Sequence, residues 1–439
     1  MFKVPKEQEI DSLLLSRFID KHKEEIRSRY KDLKDAYKSD HEILHMPAKP
    51  RYKPDNRIVV NFPKYIADTM NGFFIGNPIK ITADSPKVSE YIEYLDKYNS
   101  QDDSNAELSK IASIFGKAFE MYYTDEDGQL CTVYLSPMDA FMIYDDGIVE
   151  RPKAFVRLYT DLEGIEKGSI SDADTIRYFQ TTGRFRWIGE EENHLFDGVP
   201  ANEFVENEER QGIFEPVMSM VNAYNKALSE KANDVDYFAD AYLKILGTLV
   251  EDEDIRFIRD SRVINFDGED AQKLVVEFMD KPNNDTAQEN LLNRLETWIF
   301  AISMVANISD ENFGTASGIA LLFKLQAMMN LAKTKARKFE KGLNRRYKLL
   351  FSHPASKVPA DSWLGLSYQF TPNIPKNLLE EAQIAAQLDG IVSKETQLKA
   401  LSVVDNVQTE LSKIDDENKK LQQSAAEMLT FGEDDHEQP

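Results

Sequence analysis

Residues 216–246 read PVMSMVNAYNKALSEKANDVDYFADAYLKIL, with no Gly and no Pro after the opening Pro216. A proline is tolerated in the first helical turn, because its missing N–H would have had no partner there. The stretch predicts one unbroken helix over 216–246, a rod of about 45 Å at 1.5 Å per residue. Its apolar positions are Val217, Met220, Val221, Tyr224, Leu228, Val235, Phe238, Tyr242, Ile245 and Leu246, and they do not form one wide stripe. Such a rod must lean on neighbours outside its own domain.

The sequence downstream carries further rods. Residues 247–285 form an insert with strand expectations at Ile255–Ile258, Val263–Phe266 and Leu274–Phe278, closed by Lys281-Pro282-Asn283. Asp285 or Thr286 can cap a second helix ending near Val305. A polar loop follows, Asn307, Ile308, Ser309, Asp310, Glu311, Asn312, Phe313, Gly314 and Thr315, and then a long third helix from Gly318 to about Phe351. Trp363–Phe370 reads as a strand, and Lys376–Gln387 and Lys394–Val403 as short helices. The last 35 residues, ten acids against three lysines, are expected to be solvated and partly disordered.

Upstream, residues 7–38 predict a helix with a narrow stripe of Leu13, Leu14, Phe18, Ile26, Tyr30, Leu33 and Tyr37. Ile58–Phe62 reads as a short strand, residues 63–74 as a helix closing at Gly76, and Asn105–Phe115 as another helix. Residues 119–123 and 131–135 alternate around Asp127-Gly128, the pattern of a hairpin. Strand-like runs at 154–159, 175–179 and 185–188 carry a β-rich region to about residue 210. The class expected is α+β.

Composition narrows the function. The chain has 439 residues, 53 of them Lys or Arg and 76 Asp or Glu, for a net charge of −23. Most of its surface should repel phosphate backbones, so a DNA partner would be one the protein does not hold tightly. The single Cys131 cannot form an internal disulfide, which fits a reducing compartment. The start has no apolar run of signal-peptide type, and no 18 uncharged apolar residues follow one another, so neither secretion by that route nor a membrane span is expected.

His41-Glu42-Ile43-Leu44-His45 matches H-E-x-x-H, where a helix would put both imidazoles on one zinc ion and Glu42 beside the metal-bound water. A zinc-dependent peptidase is therefore the enzyme alternative. Pro47 follows at once, the segment reads as extended, and with the next histidine at His194 only a carboxylate such as Asp55 or Asp68 could complete the site. Residues 125–128 and 251–254 are acidic without EF-hand spacing, and no P-loop or nucleophile-elbow motif occurs. The one basic concentration is Lys333, Lys335, Arg337, Lys338, Lys341, Arg345, Arg346 and Lys348 on the third helix, opposed only by Glu340. It reads as a positive ring or seat for acidic neighbours, with pairing between subunits as good an expectation as nucleic acid, against a solvated face with cations at a helix C-terminus.

This order of elements resembles the portal proteins, or head-to-tail connectors, of tailed bacteriophages. Local sequences sharpen the likeness: Tyr30-Lys31-Asp32-Leu33, Tyr37, His41 and Ile43; residues 56–66 and 72–78; Ser136–Phe141; Ser317–Leu321; and Gly390–Thr396. They resemble the portal family of phages with long non-contractile tails and spread from about residue 28 to 418. His41 and Ile43 fall in that family's pattern and His45 does not.

The resemblance implies a portal fold. Its wing would be residues 1–215 with 317–372, its stem helices 216–246 and 286–305, its clip 247–285, its tunnel loop 306–316 and its crown 373–439. It implies a homododecameric ring at one capsid vertex of the virion, assembled in the host cytoplasm, with double-stranded DNA passing through the channel. The partners implied are the terminase large subunit, a head-completion or adaptor protein, and the scaffolding and major capsid proteins. No catalytic residue, cofactor, metal or membrane is implied. In that frame Lys226, Lys231 and Arg294 are candidate channel-facing cations, and Arg256, Arg259 and Arg262 candidate clip docking residues.

Overall fold

The structure is a computed structural model that describes residues 2–50, 53–183, 185–239, 243–246, 275–278, 285–308, 318–374, 378–399, 401, 403–404 and 407–430. Along the chain run β1 (Phe2–Val4), α1 (Ser12–Glu25), α2 (Lys31–Tyr37), α3 (Phe62–Ile75), β2 (Lys80–Ala83), α4 (Pro86–Tyr98) and α5 (Gln101–Phe115). Eight strands follow: β3 (Lys117–Thr124), β4 (Leu130–Leu135), β5 (Ala140–Asp145), β6 (Pro152–Thr160), β7 (Glu166–Ser171), β8 (Thr175–Gln180), β9 (Arg186–Asn193) and β10 (Ala201–Val205). Next come α6 (Met218–Ala239), β11 (Leu243–Leu246), β12 (Val275–Phe278), α7 (Asp285–Ser303), α8 (Gly318–Ser352) and β13 (Leu366–Gln369). Helices α9 (Leu378–Gln387), α10 (Lys394–Lys399) and α11 (Val407–Thr430) complete the order. The mixture is α+β. The chain divides into two compact units, Met1–Thr315 with Leu321–Asn373, and Ala316–Ala320 with Ile374–Pro439.

In the first unit, strands β1-β5-β6-β7-β8-β9 form one sheet, antiparallel except where β1 lies parallel to β5. Strands β10-β3-β4 form a second. Helix α1 closes the first sheet with Leu15 and Ile19 on Phe2, Phe141, Ile143 and Val156, while Phe119, Met121, Met142 and Phe155 fill the space between the two sheets. A third cluster joins α4 to the end of α8 through Tyr91, Ile92, Leu95, Tyr347, Leu350 and Phe351. Helix α5 stops at Gly116, whose φ of +84° suits glycine. A Cβ there would come within 2.0 Å of the Arg210 carbonyl oxygen, so this turn admits no larger residue.

Three expectations need correction. The rod expected over 216–246 ends at Ala239, and Leu243–Leu246 pairs antiparallel with Val275–Phe278. The register sets Leu243, Ile245 and Leu246 opposite Phe278, Val276 and Val275, and apolar and β-branched residue types favour a ladder. Ile58–Phe62 is not a strand. Phe62 opens α3, capped by the Asn61 side chain on the Lys64 N–H at 2.9 Å, and residues 58–60 bond to helix side chains instead of to a neighbouring strand. The helix expected over 7–38 is broken by a π-helical turn at Ile26–Tyr30 between α1 and α2. The tail contains α11, a Gly- and Pro-free run of strong helix formers, solvated over residues 415–420 as expected; residues 431–439 lie outside the described residues.

Helix α4 and strands β5, β7 and β10 were not expected; the hairpin, α3, α5 and α7 were, with α5 starting four residues earlier at Gln101. Of the three strands expected between residues 247 and 285 only the third lies among the described residues, as β12; Ile255–Ile258 and Val263–Phe266 lie outside them.

Candidate functional site

Helices α6 and α7 pack side by side. Val221, Leu292 and Ile299 are buried, the Gln288 amide donates to Asp234 at 3.0 Å, and Lys231 is paired with Glu289. Phe62 and Tyr65 of α3 meet Phe300 edge-on, with ring centroids 5.7 and 5.6 Å away. Where the polar loop leaves α7, the Asn307 amide donates to Glu296 at 3.1 Å and the Ile308 N–H to the Tyr65 hydroxyl at 2.7 Å. The loop's first two residues are thus tied to α7 and α3; residues 309–315 lie outside the described residues.

Among the described residues nothing covers the other face of α7. Leu291, Trp298 and Ile302 are about half exposed, with Leu295 half-buried between them. Spacings of four, three and four set all four on one helical face. Three large apolar side chains left in water on one stripe are the mark of a surface that another molecule covers.

Helix α6 holds the segment before α3 by an unusual pairing. The N–H groups of Asn56, Ile58 and Val60 donate to the side chains of Asn233, Ser229 and Asn225 at 2.6, 2.9 and 2.9 Å. Those three helix residues are buried. The same helix dismantles the H-E-x-x-H reading. His41 is buried, its Nδ1 accepting from Asn225 at 3.2 Å, while Glu42 accepts from Asn222 at 2.9 Å and the exposed His45 meets Asp40 at 2.6 Å. Residues 42–45 are a 3-10 turn, which separates the two imidazoles that an α-helix would align. Burial holds His41 below its ordinary pKa, as fits a neutral acceptor. Among the described residues no group of His, Cys, Asp and Glu could hold a metal ion.

The basic run on α8 separates into two faces, and this corrects the expectation that the whole run awaits a partner. Lys335 and Arg346 point into the protein. Lys335 meets Glu206 at 2.6 Å, the Ser113 hydroxyl at 2.6 Å and the Ser109 carbonyl at 3.1 Å. Arg346 meets Glu120 at 2.7 Å and the Asn105 amide oxygen at 2.8 Å. Both cations and both acids are nearly without solvent contact. Burial pushes the Lys335 ammonium below the usual lysine range against the opposing pull of Glu206. At Arg346 burial also opposes the charge, but Glu120 and the Tyr347 and Tyr122 hydroxyls outweigh it and the pKa is raised.

Lys338 is paired with Glu208, and Arg345 reaches the Val199 carbonyl oxygen at 3.4 Å. Only Lys333, Arg337, Lys341 and Lys348 of the run are exposed. The seat of α8 on β10 is set by Gly342, whose Cβ would lie 2.5 Å from the Phe204 ring. Sequence reasoning missed Glu120 and Glu206 as partners. The available signal was the eleven-residue gap between Lys335 and Arg346, three helical turns and hence one face, together with Glu120 inside an apolar strand.

The comparisons with known proteins decide the family. The family model described as phage portal protein, SPP1 Gp6-like, matches residues 16–424. The chain belongs to this family. Portal proteins are structural components of the virion, the head-to-tail connectors that serve genome packaging. Among curated proteins, the chain is 24% identical over 430 residues to a portal protein of Clostridium phage phiCD119, covering 91% of this chain and 92% of that one.

Within the portal family the expected channel cations are placed unequally. Lys226 and Arg294 are exposed on α6 and α7, whereas Lys231 is engaged with Glu289 between the two helices. Arg256, Arg259 and Arg262 lie outside the described residues. No helix among the described residues is long and apolar enough to cross a membrane.

Proposed function

We propose that this chain assembles into a closed dodecameric ring at one capsid vertex and forms the channel for double-stranded DNA, inward during packaging and outward during ejection. The observation that carries the ring is the uncovered apolar stripe of α7, Leu291, Trp298 and Ile302, on a helix whose opposite side is already packed. A second copy of the chain is the natural cover, because cyclic assembly repeats one contact around the axis and leaves no stripe in water. In this reading α6 and α7 are the stem, the insert between them the clip, the first unit's sheets with α8 the wing, and the residues from 373 onward the crown.

The clip would dock the terminase large subunit during filling and a head-completion or adaptor protein afterwards, through Arg256, Arg259 and Arg262. The vertex would be built with scaffolding and major capsid proteins in the host cytoplasm. Lys226 and Arg294 would give weak, repeated phosphate contacts on a mostly acidic wall, so that DNA slides. The loop 307–315 would narrow the channel as a steric valve, with Asp310 and Glu311 repelling phosphates and Phe313 beside Gly314 as an apolar bump.

Negative-stain electron microscopy of the purified protein tests the reading. Closed rings with a central channel are the expected result. Monomers that persist when the protein is concentrated and mixed with its scaffolding and capsid proteins would overturn it.

A further inference from the structure

Two hairpin turns of the first sheet hold large apolar side chains in water. Ile148 and Val149 stand on the turn between β5 and β6, and Leu162 on the turn between β6 and β7. Ile148 and Leu162 are the most exposed large hydrophobics among the described residues. One exposed leucine by itself needs no explanation. The surroundings of the two turns supply one, because they are opposite in kind.

The first turn is part of the wall of a hollow of about 620 Å³, with Lys341, Arg345 and Lys348 of α8 and Trp363 also lining it. Three acids line it as well, and each is already matched: Glu150 with Lys3, Glu203 with Arg210 at 2.8 Å, and Glu208 with Lys338. Among the described residues no carboxylate forms a salt bridge with Lys341, Arg345 or Lys348. Burial pushes the Arg345 guanidinium below its ordinary range, and its bonds to the Val199 and Ala201 carbonyl oxygens are long, at 3.4 and 3.5 Å. A cation drawn out of water without an anion is unfavourable, so this hollow suits an apolar body that brings a carboxylate with it.

The second turn offers that combination. Leu162 lies between Asp161 and Glu163. Asp161 is engaged within the turn, its Oδ1 accepting the Glu163 and Ile165 N–H groups at 3.1 and 2.8 Å, and it pairs with Lys167 at 2.8 Å. Gly164 supplies the φ of +76° that closes the turn. The tip is therefore shaped before it meets anything, which lowers the ordering cost of docking. It presents an apolar knob and one exposed carboxylate, Glu163.

Knob and hollow stand at opposite ends of one strand. Strand β6 runs from Pro152, which lines the hollow, to Thr160, next to the tip, and at ~3.3 Å per residue the two are about 27 Å apart. No copy can fill its own hollow across that span. A neighbour can, because a head-to-tail contact joins two different patches and repeats around a ring.

We propose that the β6–β7 turn of one copy seats in this hollow of the next, Leu162 against Val149 and Trp363 and the Glu163 carboxylate among Arg345, Lys341 and Lys348. The inference rests on the ring reading and adds to it a second contact, remote in sequence from the α7 stripe. Neighbouring hollows would then lie about 27 Å apart, and twelve such steps close a circle of ~50 Å radius with β6 along its circumference. A nucleic-acid backbone would answer the cations but leave Ile148, Val149 and Trp363 uncovered. An acidic, apolar segment of another capsid protein is the competing occupant.

The test is a Leu162→Cys/Val149→Cys variant, treated as assembled rings with a short thiol-to-thiol cross-linker and read on a denaturing gel. Both positions are exposed, so the substitutions spare the fold, and the native Cys131 is buried, so wild type serves as the blank. The double variant should give a ladder of dimers, trimers and longer multimers, and each single variant none, because a head-to-tail contact never brings a position onto its own copy. Glu163→Lys should raise about tenfold the protein concentration at which half the chains are in rings, and Lys341→Glu/Lys348→Glu in the same chain should bring it back. Rings of the double cysteine variant that give no ladder would overturn the seat in favour of another protein as occupant, and leave the portal reading intact. A dimer band from Leu162→Cys alone would overturn it in favour of a tip-to-tip contact. Absence of rings in the wild-type protein would instead count against the portal reading, and against this contact with it.

Discussion

The Asn225 side chain stands in for a strand: its amide oxygen accepts the Val60 N–H at 2.9 Å, as a neighbouring backbone carbonyl would. The match repeats because two extended residues advance ~6.6 Å and four helical residues ~6.0 Å, so Val60, Ile58 and Asn56 meet Asn225, Ser229 and Asn233 in step. Asn225→Ala removes the partner of Val60 and a donor to His41. Leaving such groups unmet costs about 1–3 kcal/mol. The expected outcome is a lower urea midpoint with an unchanged slope, and a wild-type midpoint would show that the pairing contributes nothing.

The buried pairs on α8 should behave differently from surface ion pairs. Lys335→Met strands Glu206 in a site closed to water, a loss of about 3–5 kcal/mol. Lys335→Met/Glu206→Gln should recover part of it, since no unpaired charge remains. Denaturant titration of the four proteins of this cycle gives the coupling directly, and additive losses would show that the two groups do not interact.

Much of this was legible because period and punctuation agree. The hairpin at Asp127-Gly128, the cap at Asn61, the start of α7 at Asp285 and the length of α8 all follow from local rules. What failed depended on distant partners. Ile58–Val60 has the composition of a strand, but its ladder is the polar face of a helix some 170 residues on, which no local pattern encodes. The end of α6 was hidden because Leu243–Leu246 becomes a strand only when Val275–Phe278 is beside it. On α8 the eight cations look alike in sequence, and only Glu120 and Glu206 sort the buried ones from the exposed. The H-E-x-x-H match needed an α-helix that Pro47 and the 3-10 turn at 42–45 do not supply.

Acid should weaken the fold through His22. Its Nε2 lies 2.7 Å from the Pro137 carbonyl oxygen, and burial lowers its pKa from 6.5 to about 4. A depressed pKa means the unfolded chain binds the proton first, so the contribution is complete above pH 6.5 and is lost as pH falls towards 4, about 3 kcal/mol in all. His41, His194 and His353 are lowered in the same direction, each by burial. Asp96 acts oppositely: burial pushes it up to about 6, so the fold gains from its protonation as pH falls below that value. His22→Gln should flatten the acid decline of the urea midpoint between pH 6.5 and 4, and Asp96→Asn should steepen it. Parallel curves for wild type and His22→Gln would rule out His22 as the source.

Trp298 should separate folding from assembly. It is 53% exposed on the α7 stripe, so a charge there costs the single chain little. Trp298→Glu is expected to give a folded protein with a wild-type circular dichroism spectrum that sediments as monomers or small oligomers, while Trp298→Phe keeps full rings. Intact rings from Trp298→Glu would remove the stripe from the subunit contact.

The bond from the Ile308 N–H to the Tyr65 hydroxyl fixes where the polar loop leaves α7, 2.7 Å from a side chain on a different helix. Tyr65→Phe keeps the ring that packs on Phe300 and removes only that acceptor. Ring assembly should therefore be unchanged, because neither the α7 stripe nor the buried pairs of α8 are touched. The loop, released at its root, should hold its pose less well, and a valve with a loose root leaks. Packaging into empty capsids, scored as DNA protected from nuclease, should drop several-fold. Deleting residues 307–314 should drop it further with rings still formed. If the deleted protein fills capsids and retains the genome as well as wild type, the loop is not the valve, and the constriction must be sought among the side chains of α6 and α7 themselves.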